Sequence, residues 1–145
     1  MKAYGEKFKG TKGKRAMDKA FMNWSFWESS ISKLLPESRS SIEKDLKKNN
    51  SYITMSQIEH HYFTNKGFYP RDGFLLEKKN IDKIKNIPTI IVQGRYDIVC
   101  PASSAYSLHK RLPKSKLYFT IAGHSSFEPE TIKKLVQATD YFKNK

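Results

Sequence analysis

The segment Ile87 to Phe127 constrains this chain most, because it holds two short apolar runs separated by one helical stretch. Each run ends in a glycine-containing turn that carries a titratable side chain. Pro88 to Gln93 is nearly continuous in apolar residues and bounded by Pro and Gly, the pattern of a strand covered on both faces. Pro101 suits the first turn of a helix to about Leu112, Pro113 breaks that helix, and Lys116 to Ile121 is the next strand. Strand, helix, strand at this spacing predicts a right-handed parallel crossover. Two strands do not close a core, so the far edge of Pro88 to Gln93 is expected to meet a further parallel strand from outside this sequence or from another chain.

Ahead of this unit the period is helical. Met17, Ala20, Phe21, Trp24, Trp27, Ile31 and Leu35 recur at three- and four-residue steps, which predicts an amphipathic helix over residues 15 to 35, ended by Pro36. Ser40 or Ser41 can cap a second helix through Leu46, closed by the polar run Lys47 to Ser51. A third helix fits residues 54 to 65, stopped by Gly67 and followed by a turn at Pro70-Arg71-Asp72-Gly73. At the other end, Glu128 or Glu130 opens a closing helix to about Phe142, with Ile132, Leu135, Val136 and Thr139 on one face. The class expected is α/β.

Composition bears on partners. Net charge is +13, from 27 Lys+Arg against 14 Asp+Glu, a balance that suits nucleic acid or an anionic membrane. The lysines are scattered, however, with no arginine-rich arm and no nucleic-acid-binding signature, so a solvated basic surface is expected and nucleic acid is not. The single cysteine, Cys100, excludes an internal disulfide and points to a reducing compartment, the cytoplasm. No apolar run reaches membrane-spanning length, Met1-Lys2-Ala3-Tyr4 opens no signal peptide, and no membrane partner is expected. Nor is a metal site: His60 and His61 are consecutive, about 100° apart on a helix, and no His-Glu-x-x-His occurs.

Asp97 and His124 fall just beyond the carboxyl ends of the two strands, where side chains of an α/β sheet converge. A nucleophilic serine needs a base to take its proton, and the base needs a carboxylate to hold its tautomer. Their separation of 27 residues is what a loop, a three-turn helix and a strand consume. An Asp in a turn and a surface histidine would leave the same pattern. Ser125 and Ser126 adjoin the histidine but sit on no strand-to-helix elbow, and no Gly-x-Ser-x-Gly or glycine-rich oxyanion segment occurs. In the helical half, Glu28 falls on the apolar stripe between Trp24 and Ile31, and Glu59 lies one turn from Met55 and from Tyr62 and Phe63. A carboxylate facing a core needs a partner, which either a basic side chain of this chain or the ammonium group of a ligand can supply.

Gly94-Arg95-Tyr96-Asp97-Ile98-Val99-Cys100-Pro101, Leu108-His109-Lys110, Ala122-Gly123-His124-Ser125 and Ala138-Thr139-Asp140-Tyr141-Phe142 resemble the end of the proline iminopeptidases. Trp24-Ser25-Phe26-Trp27-Glu28 and Ile58-Glu59-His60-His61-Tyr62-Phe63 resemble earlier parts of that family, so the similarity runs from about residue 1 to 143. The resemblance implies the C-terminal part of an α/β-hydrolase fold, its last parallel strands and helices preceded by helical cap segments. Residues 1–78 would be the cap portion and 79–145 the core portion. An acid after one strand and a histidine after the next is how that fold ends.

The family resemblance also implies a serine exopeptidase that releases amino-terminal proline from peptides without a metal or cofactor. Asp97 and His124 take the acid and base positions, Glu28 and Glu59 hold the substrate amino group, and Phe63 and Cys100 line the pyrrolidine site. The family's His-Gly-Gly-Pro-Gly and Gly-Gly-Ser-Trp-Gly segments are absent here. A missing N-terminal half is therefore the expected partner, bringing nucleophile and oxyanion hole, and this chain alone is expected to be inactive. Other readings are an α/β-hydrolase of another substrate class, or a noncatalytic basic binding module derived from a hydrolase. Cys100 also fits an inert buried thiol.

Overall fold

A computed structural model describes residues 1–143. The chain divides into two compact units, Met1–Ser30 with Glu37–Pro70, and Ile31–Pro36 with the chain from Arg71 onward. Residues 144 and 145, the end of the expected core portion, lie outside the described residues.

The first unit is helical, with α1 (Lys2–Phe8), α2 (Lys14–Ser32) as far as Ser30, α3 (Arg39–Asn49) and α4 (Ser51–Thr64). Its core is aromatic: Phe8, Ala20, Phe21 and Trp24 are buried, with Tyr4, Met17, Tyr52 and Ile53 packed against them. The apolar spacing of α2 therefore predicts its buried face correctly at Ala20, Phe21 and Trp24, but Trp27 on the same expected stripe is 62% exposed. α1 has no strong sequence signature, since Gly5 and several lysines dilute it. Tertiary packing makes it a helix: Phe8 stacks on Phe21 with centroids 4.4 Å apart, and Tyr4 meets Trp24 edge-on at 5.2 Å. Burial of one such phenylalanine contributes about 2–3 kcal/mol. Two buried hydroxyls are satisfied within the unit, Ser25 and Ser56 sharing a 2.9 Å hydrogen bond while Ser56 also donates to the Tyr52 carbonyl at 2.7 Å.

Three expected boundaries are corrected here. Ser38, and neither Ser40 nor Ser41, caps α3: its backbone is extended and its Oγ accepts the Ser41 amide at 3.3 Å. Asn50 then adopts a left-handed conformation (φ 50°), which an asparagine tolerates, so α4 starts at Ser51 instead of residue 54. α2 likewise ends at Ser32, ahead of the expected Leu35, because the Ser32 carbonyl and the Leu34 amide are engaged by the loop around His124 and by Glu128.

The second unit contains α5 (Lys78–Ile84), β1 (Thr89–Gly94), α6 (Ala102–His109), β2 (Ser115–Thr120) and α7 (Pro129–Lys143). β1 and β2 are parallel, in register from Thr89 opposite Ser115 to Gly94 opposite Thr120. Both strands lie within one residue of their expected positions, and α6 and α7 each pack on both. Residues Thr89 to Gln93 are only partly buried, where full cover was expected, because the described sheet has two strands and little besides α6 and α7 to cover it. Thr120 and Thr131, both buried, share a 2.9 Å hydrogen bond that ties β2 to α7. α5 was not expected; it is pinned by Ile81, 6% exposed. No helix among the described residues is long and apolar enough to cross a membrane.

Candidate active site

β1 ends at Gly94, and the chain beyond it is stitched to the end of β2: the Arg95 amide donates to the Thr120 carbonyl at 2.9 Å and the Tyr96 amide to the Ala122 carbonyl at 3.0 Å. These bonds bring Asp97 and His124 together. His124 Nδ1 lies 3.0 Å from Asp97 Oδ2, whose side chain is 5% exposed while that of the histidine is 39% exposed. The acid is enclosed and the base is open.

Asp97 is held from four directions. Its Oδ1 accepts the amides of Val99 at 2.9 Å and Cys100 at 2.7 Å, and its Oδ2 accepts Gln93 Nε2 at 3.1 Å as well as the histidine. Burial pushes the carboxyl up, but the Cys100 amide, the His124 hydrogen bond and charge, and the Gln93 amide outweigh it and hold the group below the usual carboxylate range. An ionised carboxylate only accepts, so the proton between the two residues belongs to Nδ1, and Nε2 is left as the basic nitrogen. That arrangement can take a proton from a hydroxyl and return it to a leaving group.

Cys100 is exposed, and its amide faces Asp97. Partial burial of the sulfur and the Asp97 charge both push its thiol up, which makes it a poor nucleophile at neutral pH. Ser125 Oγ accepts the Phe127 amide at 3.2 Å inside a turn. Gln93 escaped the sequence reading although its amide group bridges Asp97, the Gly94 carbonyl and the Cys100 carbonyl. Its signal was a lone amide side chain closing an apolar run.

In the helical unit, Glu59 Oε2 accepts the Trp24 indole N–H at 2.7 Å. Glu59 is half-buried and faces the core through Trp24, a buried core residue on α2, whereas Met55, Tyr62 and Phe63 beside it are each 51% exposed. Glu28 and Phe63 line one cavity of about 340 Å³ with Met1, Tyr4, Trp24 and Trp27. The unit thus brings Glu28 and Phe63 to one concavity and Glu59 to the indole that lines it. Carboxylate charge among aromatic rings suits a small cation. The two consecutive histidines diverge, His60 packing on the rings of Phe8 and Trp24 and His61 on that of Phe68.

No protein-family model matches the chain. Among curated proteins it is similar to a probable proline iminopeptidase of Leptolyngbya boryana, 44% identical over 120 residues, which is 82% of this chain and 36% of that protein. The proline iminopeptidase of Arabidopsis thaliana is 43% identical over 123 residues, 83% of this chain and 31% of its own length. That of Neisseria meningitidis serogroup B is 39% identical over 117 residues, 81% and 35% respectively. The chain spans about a third of the length of these relatives. The helices and parallel strands described above correspond to the C-terminal part of an α/β-hydrolase fold, the class expected from the sequence.

Proposed function

We propose that this chain, similar to proline iminopeptidases over four-fifths of its length, carries the acid and base of a serine exopeptidase that releases amino-terminal proline from peptides. The observation that supports the reading most is the enclosed Asp97 carboxylate on Nδ1 of an open His124, which leaves Nε2 as the proton acceptor. In this reading His124 takes the proton of a serine supplied by an N-terminal half outside this sequence and then gives it to the departing amine. The same half would bring the oxyanion hole, so the chain alone is inactive.

Glu28 and Glu59 grip the proline ammonium, and Phe63 and Cys100 face its ring. Supporting this are the cavity that Glu28 shares with Phe63 and the Trp24 bond that orients Glu59 without neutralising it. Residues 1–78 act as the cap portion and 79–145 as the core portion of the complete enzyme, which works in the cytoplasm as the single cysteine suggests.

A chimera tests the proposal: the N-terminal portion of the Leptolyngbya boryana relative joined to this chain in place of the relative's own matching part. Turnover of a prolyl arylamide well above an alanyl arylamide is expected. Glu28→Gln and Glu59→Gln should depress turnover of substrates with a free amino terminus and spare simple esters. An inactive chimera beside an active parent, or equal loss on esters, would contradict the proposal.

A further inference from the structure

Glu128 immediately precedes Pro129, the first residue of α7, and its carbonyl accepts the Ile132 amide. Helices favour Ser, Thr, Asp or Asn at that place because a short side chain can turn back on the first amides. The longer Glu128 side chain reaches elsewhere. Its Oε1 accepts the Gly123 amide at 2.6 Å and its Oε2 accepts the Leu34 amide at 3.1 Å. One carboxylate thereby joins the residue before His124 to the segment that follows α2. The same two segments meet a second time, since the Ser32 carbonyl accepts both the His124 amide at 2.8 Å and the Ser125 amide at 2.7 Å. No space remains between them: a Cβ on Gly123 would lie 2.8 Å from the Leu34 nitrogen.

We propose that Glu128 is a positioning residue for His124, using both oxygens to clamp the Gly123–Ser125 loop onto Ser32–Leu34 so that Nδ1 stays aimed at Asp97. The inference rests on the acid and base reading of that pair. Two amide donors require two acceptors. A carboxylate provides them, whereas a glutamine of equal size provides one and turns an N–H₂ toward the other amide. Glu130 is the natural control, because it sits in the first turn of the same α7 and accepts the Ile121 amide at 2.7 Å without touching the histidine loop.

The test uses the chain itself, comparing Glu128→Gln with Glu130→Gln by hydrogen exchange of the Leu34, Gly123, His124 and Ser125 amides and by the low-field proton resonance of His124 Nδ1. Losing one charge-assisted bond should speed exchange of those amides about tenfold and weaken or abolish the low-field signal in Glu128→Gln alone. Unchanged exchange with an intact signal in Glu128→Gln, or the same effect from Glu130→Gln, would overturn the inference. In the unaltered chain the four amides should exchange together and slowly, and free exchange at Gly123 and Leu34 would overturn it equally, so the result does not depend on the variant folding. None of these readouts requires turnover. A chimera indifferent to His124 would instead defeat the peptidase reading.

Discussion

A side chain at Gly94 would overlap the carbonyl oxygen of Gly123. The end of β1 and the loop that presents His124 meet backbone to backbone, and this close approach lets Asp97 and His124 sit within 3.0 Å of each other. Gly94→Ala must therefore push the loop away. It should destabilise the chain by about 3 kcal/mol, read as a fall in the urea midpoint, and erase the low-field Nδ1 proton of His124. Retention of both would show that the loop can move without loss of the pair.

The depressed pKa of Asp97 fixes the sign of its pH dependence. A carboxyl that ionises more readily in the folded than in the unfolded chain adds stability above its unfolded value, about 3.9, and loses that contribution as pH falls through the lower folded value. Asp97→Asn should be less stable than the unaltered chain at pH 7, with the difference shrinking toward pH 2. A gap that stays constant or widens in acid would contradict the bonding described for this carboxylate. In the chimera the same change should reduce turnover by about 10⁴-fold, because an asparagine no longer holds the required tautomer.

Trp24 and Glu59 separate stability from binding. Trp24→Phe keeps an aromatic ring but loses the 2.7 Å bond, and should lower stability by about 1–2 kcal/mol in thermal or urea unfolding. Glu59→Gln keeps an acceptor for the indole and should leave stability within about 0.5 kcal/mol while raising KM for prolyl arylamide in the chimera. Equal stability losses in the two variants would show that charge, and not the acceptor, matters to the fold.

Cys100 should alkylate more slowly than a free thiol at neutral pH, since its raised pKa leaves less thiolate. Once modified it should block the chimera, because its amide lies against Asp97, its side chain is exposed, and the proposed function has it face the prolyl ring. Inhibition by the same reagent in Cys100→Ala would place the sensitive group elsewhere.

The parts of the molecule legible in the sequence were those written in local periodicity. Strands near Pro88 to Gln93 and Lys116 to Ile121 stand out by apolar content, and Asp97 and His124 by their position after those strands. α1 was not legible because it depends on Phe8 finding Phe21, a contact between helices that no local pattern records. The burial of α2 was only half legible, since spacing marks a stripe but does not say that Trp27 within it stays exposed. The hydrogen bonding of Gln93, and that of Glu128 beyond its expected place at the start of the closing helix, escaped local pattern for a shared reason: each is an ordinary polar residue whose partners are amides and carbonyls brought to it by the fold.

The most direct measurement of the central claim is prolyl arylamide hydrolysis by the chimera with and without His124→Ala. The pairing of Asp97 with an open His124 predicts a loss of at least about 10³-fold in kcat, with KM little changed, because the base acts on the reaction and not on binding. Turnover within a few-fold of the unaltered chimera would contradict it and leave Asp97 and His124 as a structural pair.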